Sequence, residues 1–441
     1  MLTAKKLLNL FSNPAIQSLV LRSLAMISSV ALTVILTRTL STEDYASYSY
    51  ALSFATIALL PILGGIPVLV LRETARGLSG ESLDEIIGVW LWAIAIILTF
   101  GLVLISITEL SSNYVGTLES RLPKSLNLAI LYSTSMSLLW ATGAAIRGFN
   151  KIFLGGLSAE LVRPVLFSIA LLLISLFEIH RIDAAFALKI HIATSLVALA
   201  ASAVIIAKFR IINLKNLIHA KYRLKYWNSS LLPLSFSAGI SVIMANTDLV
   251  MMGFLGKNAE VGIYNVATRT ATWAAFGLLI VNQATQPRIA TLFHENKNKE
   301  LQSLVGKASK YAFASALLAA LFIFLWGAQL LKILFGETYQ AAYAPLLIIT
   351  FGQLGNSFFG PVRSLLDLSG HEKIVLRIMF MMAMLNIIMN AILIPSFGGV
   401  GAATATTISL FGWNFFCWRS AKVNCFVDTR AINLELLRKP I

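Results

Sequence analysis

Charge is scarce in this chain, and negative charge scarcest: of 441 residues, 20 are Asp or Glu and 35 are Lys or Arg, so only 12% are charged. A soluble domain carries about 25%, which excludes a globular body with a water-facing surface. Cysteine is nearly absent. Cys417 and Cys425 are the whole supply, and both fall on one side of the expected topology, leaving neither a disulfide framework nor a zinc site. The five histidines, His180, His191, His219, His294 and His371, are scattered over different loops and spans, so no metal site and no cofactor is expected. A D-x-D metal motif is missing, as is any Ser-His-Asp grouping with a common location, which argues against an enzyme.

What the chain has instead is apolar length. Apolar residues make up 57% of the sequence and the mean hydropathy is +0.79. An α-helix needs about 20 apolar residues to cross roughly 30 Å of hydrocarbon. Twelve stretches meet that need, at 15–37, 46–70, 86–108, 125–146, 153–177, 184–207, 230–254, 262–285, 309–335, 342–366, 374–395 and 398–419. A β-barrel would alternate over segments of about ten residues; the continuous run from Ile94 to Ile105 fits a helix. The sequence therefore predicts an all-α integral membrane protein of twelve transmembrane helices. Lys5 and Lys6 precede an apolar run without a small-residue cleavage pattern, so the segment is expected to be retained, with 1–12 as an interfacial lead and Pro14 starting the first span.

The net charge of +15 has to be read by location. With the N-terminus inside, twenty-five Lys and Arg fall on the cytoplasmic side and seven on the other, which orients both termini to the cytoplasm and speaks against nucleic acid as a partner. The polar stretch 208–229, with six basic residues and no acid, divides the chain into a six-helix bundle over 1–207 and another over 230–419, followed by a cytoplasmic tail, 420–441. Six is even, so both bundles enter the membrane in the same direction, as parallel repeats do. Landmarks recur accordingly. Asp44 stands four residues before Tyr48 in the link from span 1 to span 2, and Glu260 four residues before Tyr264 in the link from span 7 to span 8. Arg147-Gly148-Phe-Asn-Lys151 echoes Ser369-Gly370-His-Glu-Lys373, and Pro67 with Arg72 echoes Pro287 with Arg288.

The stretch Asp248-Leu-Val-Met-Met-Gly-Phe-Leu-Gly256, followed by Val261-Gly-Ile-Tyr264-Asn-Val-Ala-Thr-Arg269, carries a resemblance to a known family. Leu334-Phe-Gly-Glu-Thr-Tyr339, Gly360-Pro361 and the run from Asn390 through Pro395 to Ala405 extend it, as does Thr42-Glu-Asp-Tyr-Ala-Ser-Tyr48. Over essentially its whole length the chain resembles the polysaccharide (O-antigen type) flippases of the MOP superfamily, which also holds the MATE exporters and lipid II flippases. The resemblance implies two pseudo-symmetric, MATE-like bundles in the bacterial inner membrane. It also implies a polyprenyl-diphosphate-linked oligosaccharide, an O-antigen or related repeat unit, as cargo, and polysaccharide assembly proteins as partners. A monomer is expected to function.

A charge at the bilayer centre costs about 2.5–3.5 kcal/mol on insertion scales, so a charge within a span needs a partner or a hydrated cavity. Four such residues stand out: Arg22 in span 1, Arg163 in span 5, Asp248 in span 7 and Arg269 in span 8. Arg22 and Arg163 lie at similar depth and, with Arg269, are candidates for binding an anionic headgroup, because guanidinium grips phosphate oxygens as a bidentate fork. The competing reading has Arg22 reaching for the interface and Arg163, before Pro164, bonding freed backbone carbonyls. Asp248 and Arg269 are expected to pair, as a structural tie or as a coupling switch, with Asp248 a candidate H+ or Na+ site. Arg363 and Asp367, one helical turn apart, are expected to pair at the inner end of span 10 as a tie or gate. Asn282, Gln283, Gln353 and Asn356 are candidate glycan contacts, against the alternative that they join helices. Trp90, Trp92, Trp227, Trp326, Trp413 and Trp418 are expected in an interfacial belt.

Three functions compete at this point. A flippase of lipid-linked oligosaccharide, working by alternating access, leads. A MATE-type exporter of cationic drugs usually carries a carboxylate in span 1, where this chain has Arg22, and a lipid II-type flippase is the neighbouring alternative. A membrane polymerase would usually need a large outer loop, and none here exceeds about 20 residues.

Overall fold

The structure, a computed structural model, describes residues 14–79, 83–114, 125–177, 182–208, 219–255 and 257–432. The lead 1–12, Arg121, Lys124, His180, Arg181, residues 209–218 of the basic stretch and the tail beyond 432 lie outside the described residues. The ordered elements among the described residues are helical, and each of the twelve apolar stretches lies largely in helix, with breaks at Leu59 inside 46–70 and at Gly360-Pro361 inside 342–366. Seven helices are long and apolar enough to cross a bilayer, and two bent pairs satisfy the same requirement.

Two compact units, Met1–Asn258 and Ala259–Ile441, make up the chain. The first opens with α1 (Pro14–Thr39) and α2 (Thr42–Ala58), where Ser41 caps α2 by accepting from the Asp44 N–H at 3.1 Å. A 60° bend at Leu59, next to Pro61, leads into α3 (Leu60–Ser79). Then follow α4 (Leu83–Tyr114), α5 (Leu126–Gly148), α6 (Ile152–Leu157), α7 (Arg163–Leu176), α8 (Ala184–Lys208) and α9 (Leu224–Phe254). Helix α3 is central, packing on α4, α5 and α9.

The sequence division assigns span 7 to the second bundle, whereas its helix, α9, packs on α2 and α3 within the first unit. Polar ties explain the placement: Ser235 Oγ donates to Pro61 O at 2.5 Å, Trp92 Nε1 donates to Asn228 Oδ1 at 3.1 Å, and Arg223 pairs with Glu85 at 2.9 Å. Trp92 and Trp227 are therefore interior residues, ring centroids 5.7 Å apart, and not members of an interfacial belt. Trp326 is 52% exposed.

The second unit comprises α10 (Asn258–Ala271), α11 (Phe276–His294), α12 (Asn298–Phe335), α13 (Tyr343–Phe359), α14 (Val362–Leu368) and α15 (Glu372–Asn424). Fifty-three residues make α15 too long for one crossing, and at Gly398 (φ 53°, ψ −130°) the backbone leaves helical geometry. The two arms fold back on each other there: Asn386 Nδ2 donates to Thr406 Oγ1 at 3.2 Å across the hairpin. Spans 11 and 12 are these two arms.

Candidate functional site

The membrane interior of the first unit contains a polar cluster built on a distorted helix. Pro164 has no N–H to donate, and immediately before it Ser158–Val162 forms a π turn joining α6 to α7, closed by the Arg163 N–H on Ser158 O. The wider turn leaves Arg163 free to bond its Nε–H to Ala159 O at 3.3 Å. Its Nη1 donates to Tyr132 Oη at 2.7 Å and to His191 Nε2 at 2.5 Å. Hydrogen bonds to a charged donor contribute about 1.5–3 kcal/mol each, enough for two to offset the insertion cost of roughly 2.5–3.5 kcal/mol.

These bonds also fix a tautomer. Guanidinium only donates, so His191 Nε2 must accept and its proton sits on Nδ1, which faces Tyr48 Oη at 2.7 Å. His191 is thus a neutral relay between α2 and α7, 3% exposed and stacked on Phe167 with centroids 3.9 Å apart. Its ring also stacks on Tyr132 at 4.0 Å.

One turn before Arg163, Glu160 lies on the π turn itself. Its carboxylate is within electrostatic range of Arg147 and of Arg22. Close backbone packing creates this neighbourhood, since Gly143 on α5 and Gly155 on α6 each face the other's carbonyl where a side chain would stand. That approach lays Arg147 beside α6, and α1 packs along α6 and α7 to bring Arg22 to the same place. Arg22 itself is exposed. Two guanidiniums, those of Arg22 and Arg147, therefore gather around the Glu160 carboxylate, while Arg163 is held separately by Tyr132 and His191, Tyr132 lying fifteen residues from Arg147 on α5.

Glu160 and Arg147 are absent from the site residues that the sequence suggests, where His191 stands among scattered histidines. The rule that exposed Arg22 and Arg163, a charge inside an apolar span, also applies to Glu160. His191 gave no such signal, being 28 residues from its partner.

The remaining candidates lie on other elements. Asp248 is buried on α9 of the first unit, and Arg269 is exposed on α10 of the second. Arg363 and Asp367 form the expected pair at 3.3 Å on α14, with Arg363 also over the Trp413 ring at 5.9 Å. Asn356 Nδ2 donates to Gln353 Oε1 at 3.2 Å on α13. Asn282 Oδ1 is buried without a hydrogen-bond partner among the described residues, and Gln283 follows it on α11.

The repeated landmark acquires a structural meaning in each unit. Asp44 Oδ1 accepts from the Ala184 N–H at 3.4 Å, where α8 begins, and Glu260 Oε2 accepts from the Gly399 N–H at 2.8 Å, where the second arm of α15 begins. In both repeats an acid four residues before a Tyr ties down the start of the sixth helix. The polar partners deeper in the membrane then differ. His191, seven residues beyond Ala184, meets Arg163; Thr406, seven beyond Gly399, meets Asn386. The first unit has a cation where the second has a neutral amide.

Comparison with known proteins is consistent with this architecture. The profile of the family described as "Polysaccharide biosynthesis protein" matches residues 15–293, and that of MatE matches 233–392. An uncharacterized membrane protein, MJ1068, of Methanocaldococcus jannaschii is 24% identical over 85% of this chain and 77% of its own length. The probable low-salt glycan biosynthesis flippase Agl15 of Haloferax volcanii is 24% identical over 37% of this chain and 34% of its own. The solved lipid II flippase MurJ, in an inward closed conformation, shares the fold with a TM-score of 0.70 at 14% identity, covering 91% of this chain and 87% of that one. Because the first profile spans more than half of the sequence, this all-helical, multi-span chain belongs to the polysaccharide biosynthesis protein family.

Proposed function

We propose that this protein moves a polyprenyl-diphosphate-linked oligosaccharide across the plasma membrane by alternating access, with Arg22 and Arg147 around Glu160, and Arg163 on its own bonded perch, serving as successive contacts for the diphosphate. The observation that carries the reading is the gathering of two guanidiniums, Arg22 and Arg147, around the single carboxylate of Glu160, in a member of a polysaccharide biosynthesis family. Fork-shaped donors match phosphate oxygens, and in a membrane interior their charge is weakly screened. Arg163 is held in place by Tyr132 and His191, so it needs little reordering to meet its ligand. Glu160 is the release group: it competes with the diphosphate for Arg22 and Arg147, and a proton on it strengthens the anion's hold.

This makes Glu160, beside Asp248, a candidate for H+ coupling. Both termini face the cytoplasm in this reading, which places the headgroup's entry on the side richer in Lys and Arg. An exporter of cations fits the same cluster poorly, because a net positive site repels its cargo. The carrier rather than catalyst role rests on the flippase names among the relatives.

Complementation of a flippase-deficient strain tests the proposal. Arg163→Ala and Arg22→Ala should abolish surface glycan while the protein still inserts at normal levels. Full complementation by both variants would refute the anion site.

A further inference from the structure

The two arms of α15 carry a second basic feature, unrelated to the cluster in the first unit. Arg377 and Arg419 each lie twenty-one residues from Gly398, one on either arm. At 1.5 Å per residue that is about 30 Å, one hydrocarbon thickness. A turn at one membrane face therefore sets both guanidiniums at the headgroup level of the other.

Between the arms at that level is an open groove of about 320 Å³, lined by Arg377 and Arg419 together with Ile378, Met382, Phe416 and Val423. Helical spacing explains the lining: 374, 377, 378 and 381 share a face of the first arm, and 416, 419, 420 and 423 a face of the second. Phe416 and Val423 are exposed, as are both arginines, and neither arginine has an ion pair with a described residue. Two unpaired cations at the rim of an apolar cleft, at headgroup depth, complement a molecule with a phosphate at one end and hydrocarbon at the other.

We propose that this groove is a binding site for an anionic phospholipid of the surrounding leaflet, its phosphate between Arg377 and Arg419 and its upper acyl chain against Phe416 and Val423. Paired basic residues between membrane helices, next to an apolar surface, are the chemistry by which lipid headgroups are recognised. Such a lipid would brace the open end of a hairpin whose other end is closed by the chain itself.

Purified full-length protein in detergent, titrated with phosphatidylglycerol or with phosphatidylcholine, tests this through the thermal unfolding midpoint and native mass spectrometry. Phosphatidylglycerol should raise the midpoint and leave adducts on the wild type, and phosphatidylcholine should not. In the Arg377→Gln/Arg419→Gln double variant the rise should fall at least twofold, while Arg377→Lys/Arg419→Lys retains most of it. Lys299→Gln/Lys310→Gln, which removes two charges from α12 outside the groove, should behave as wild type. Inorganic phosphate alone should give no shift. The proposal is overturned if the double Gln variant keeps the full response, if the α12 variant loses as much, or if phosphatidylcholine or free phosphate serves equally well.

Discussion

His191 illustrates how one proton position can organise a membrane interior. Arg163 forces its Nε2 to accept, and the Nδ1 proton then faces Tyr48, so replacing the imidazole severs a connection between three helices. His191→Ala should lower stability by about 2–4 kcal/mol, combining a cavity against Phe167 with an under-bonded guanidinium; thermal unfolding in detergent would show it. His191→Gln, whose carbonyl still accepts from Arg163, should recover part of the loss, and identical behaviour of the two variants would contradict the acceptor role. At Glu160 the expectation concerns function. Glu160→Gln removes the carboxylate facing Arg22 and Arg147, so affinity for pyrophosphate should rise several-fold while turnover falls, as measured by binding and transport on the same preparation.

At the scale of elements, the acid ties of the two repeats make matched predictions. Glu260→Gln should be tolerated, because its carbonyl oxygen can still accept from Gly399, whereas Glu260→Leu leaves that N–H exposed at the hairpin turn. Gly398→Ala should cost about 1–3 kcal/mol or more, since its φ of 53° with ψ of −130° is a conformation open to glycine alone and the new Cβ would meet the Glu260 carboxylate. The segment after α15 is a separate tie. Asp428 bonds Gln302 through its backbone, accepts from Trp418 Nε1 at 2.9 Å and pairs with Arg430 at 2.6 Å. Burial pushes its carboxyl up, but the bonds from Arg430 and Trp418 outweigh that and hold it below the usual carboxylate range. A depressed carboxyl stabilises above the unfolded value of about 3.9 and loses that contribution as pH falls through the folded value. Hydrogen-exchange protection of residues 427–431 should thus be flat from neutral pH down to about 4 and decline below it; a decline starting near neutrality would contradict the pairing.

For the whole molecule, hydrophobic length located the long apolar helices but not the breaks inside them, because a bilayer demands about 20 apolar residues from each crossing whatever the backbone does between them. The acid–Tyr landmark proved to mark the repeat for a reason invisible in one dimension, the N-terminus of a distant helix that the acid satisfies. What the sequence concealed was lateral. Trp92 and Trp227 have the composition of interface residues but face each other, and His191 has meaning only beside Arg163. The placement of α9 was set by single polar bonds such as Ser235 to Pro61, which no hydropathy pattern records.

The central claim is that the intramembrane arginines of the first unit receive an anionic, lipid-linked cargo. Its most direct measurement is leaflet-to-leaflet transfer of a fluorescent polyprenyl-diphosphate oligosaccharide in vesicles containing the purified protein. Wild type should transfer it, Arg22→Ala and Arg163→Ala should each slow transfer at least tenfold, and a polyprenol-linked glycan lacking the diphosphate should not cross. Equal transfer by wild type and both variants, or transfer indifferent to the diphosphate, would contradict the account.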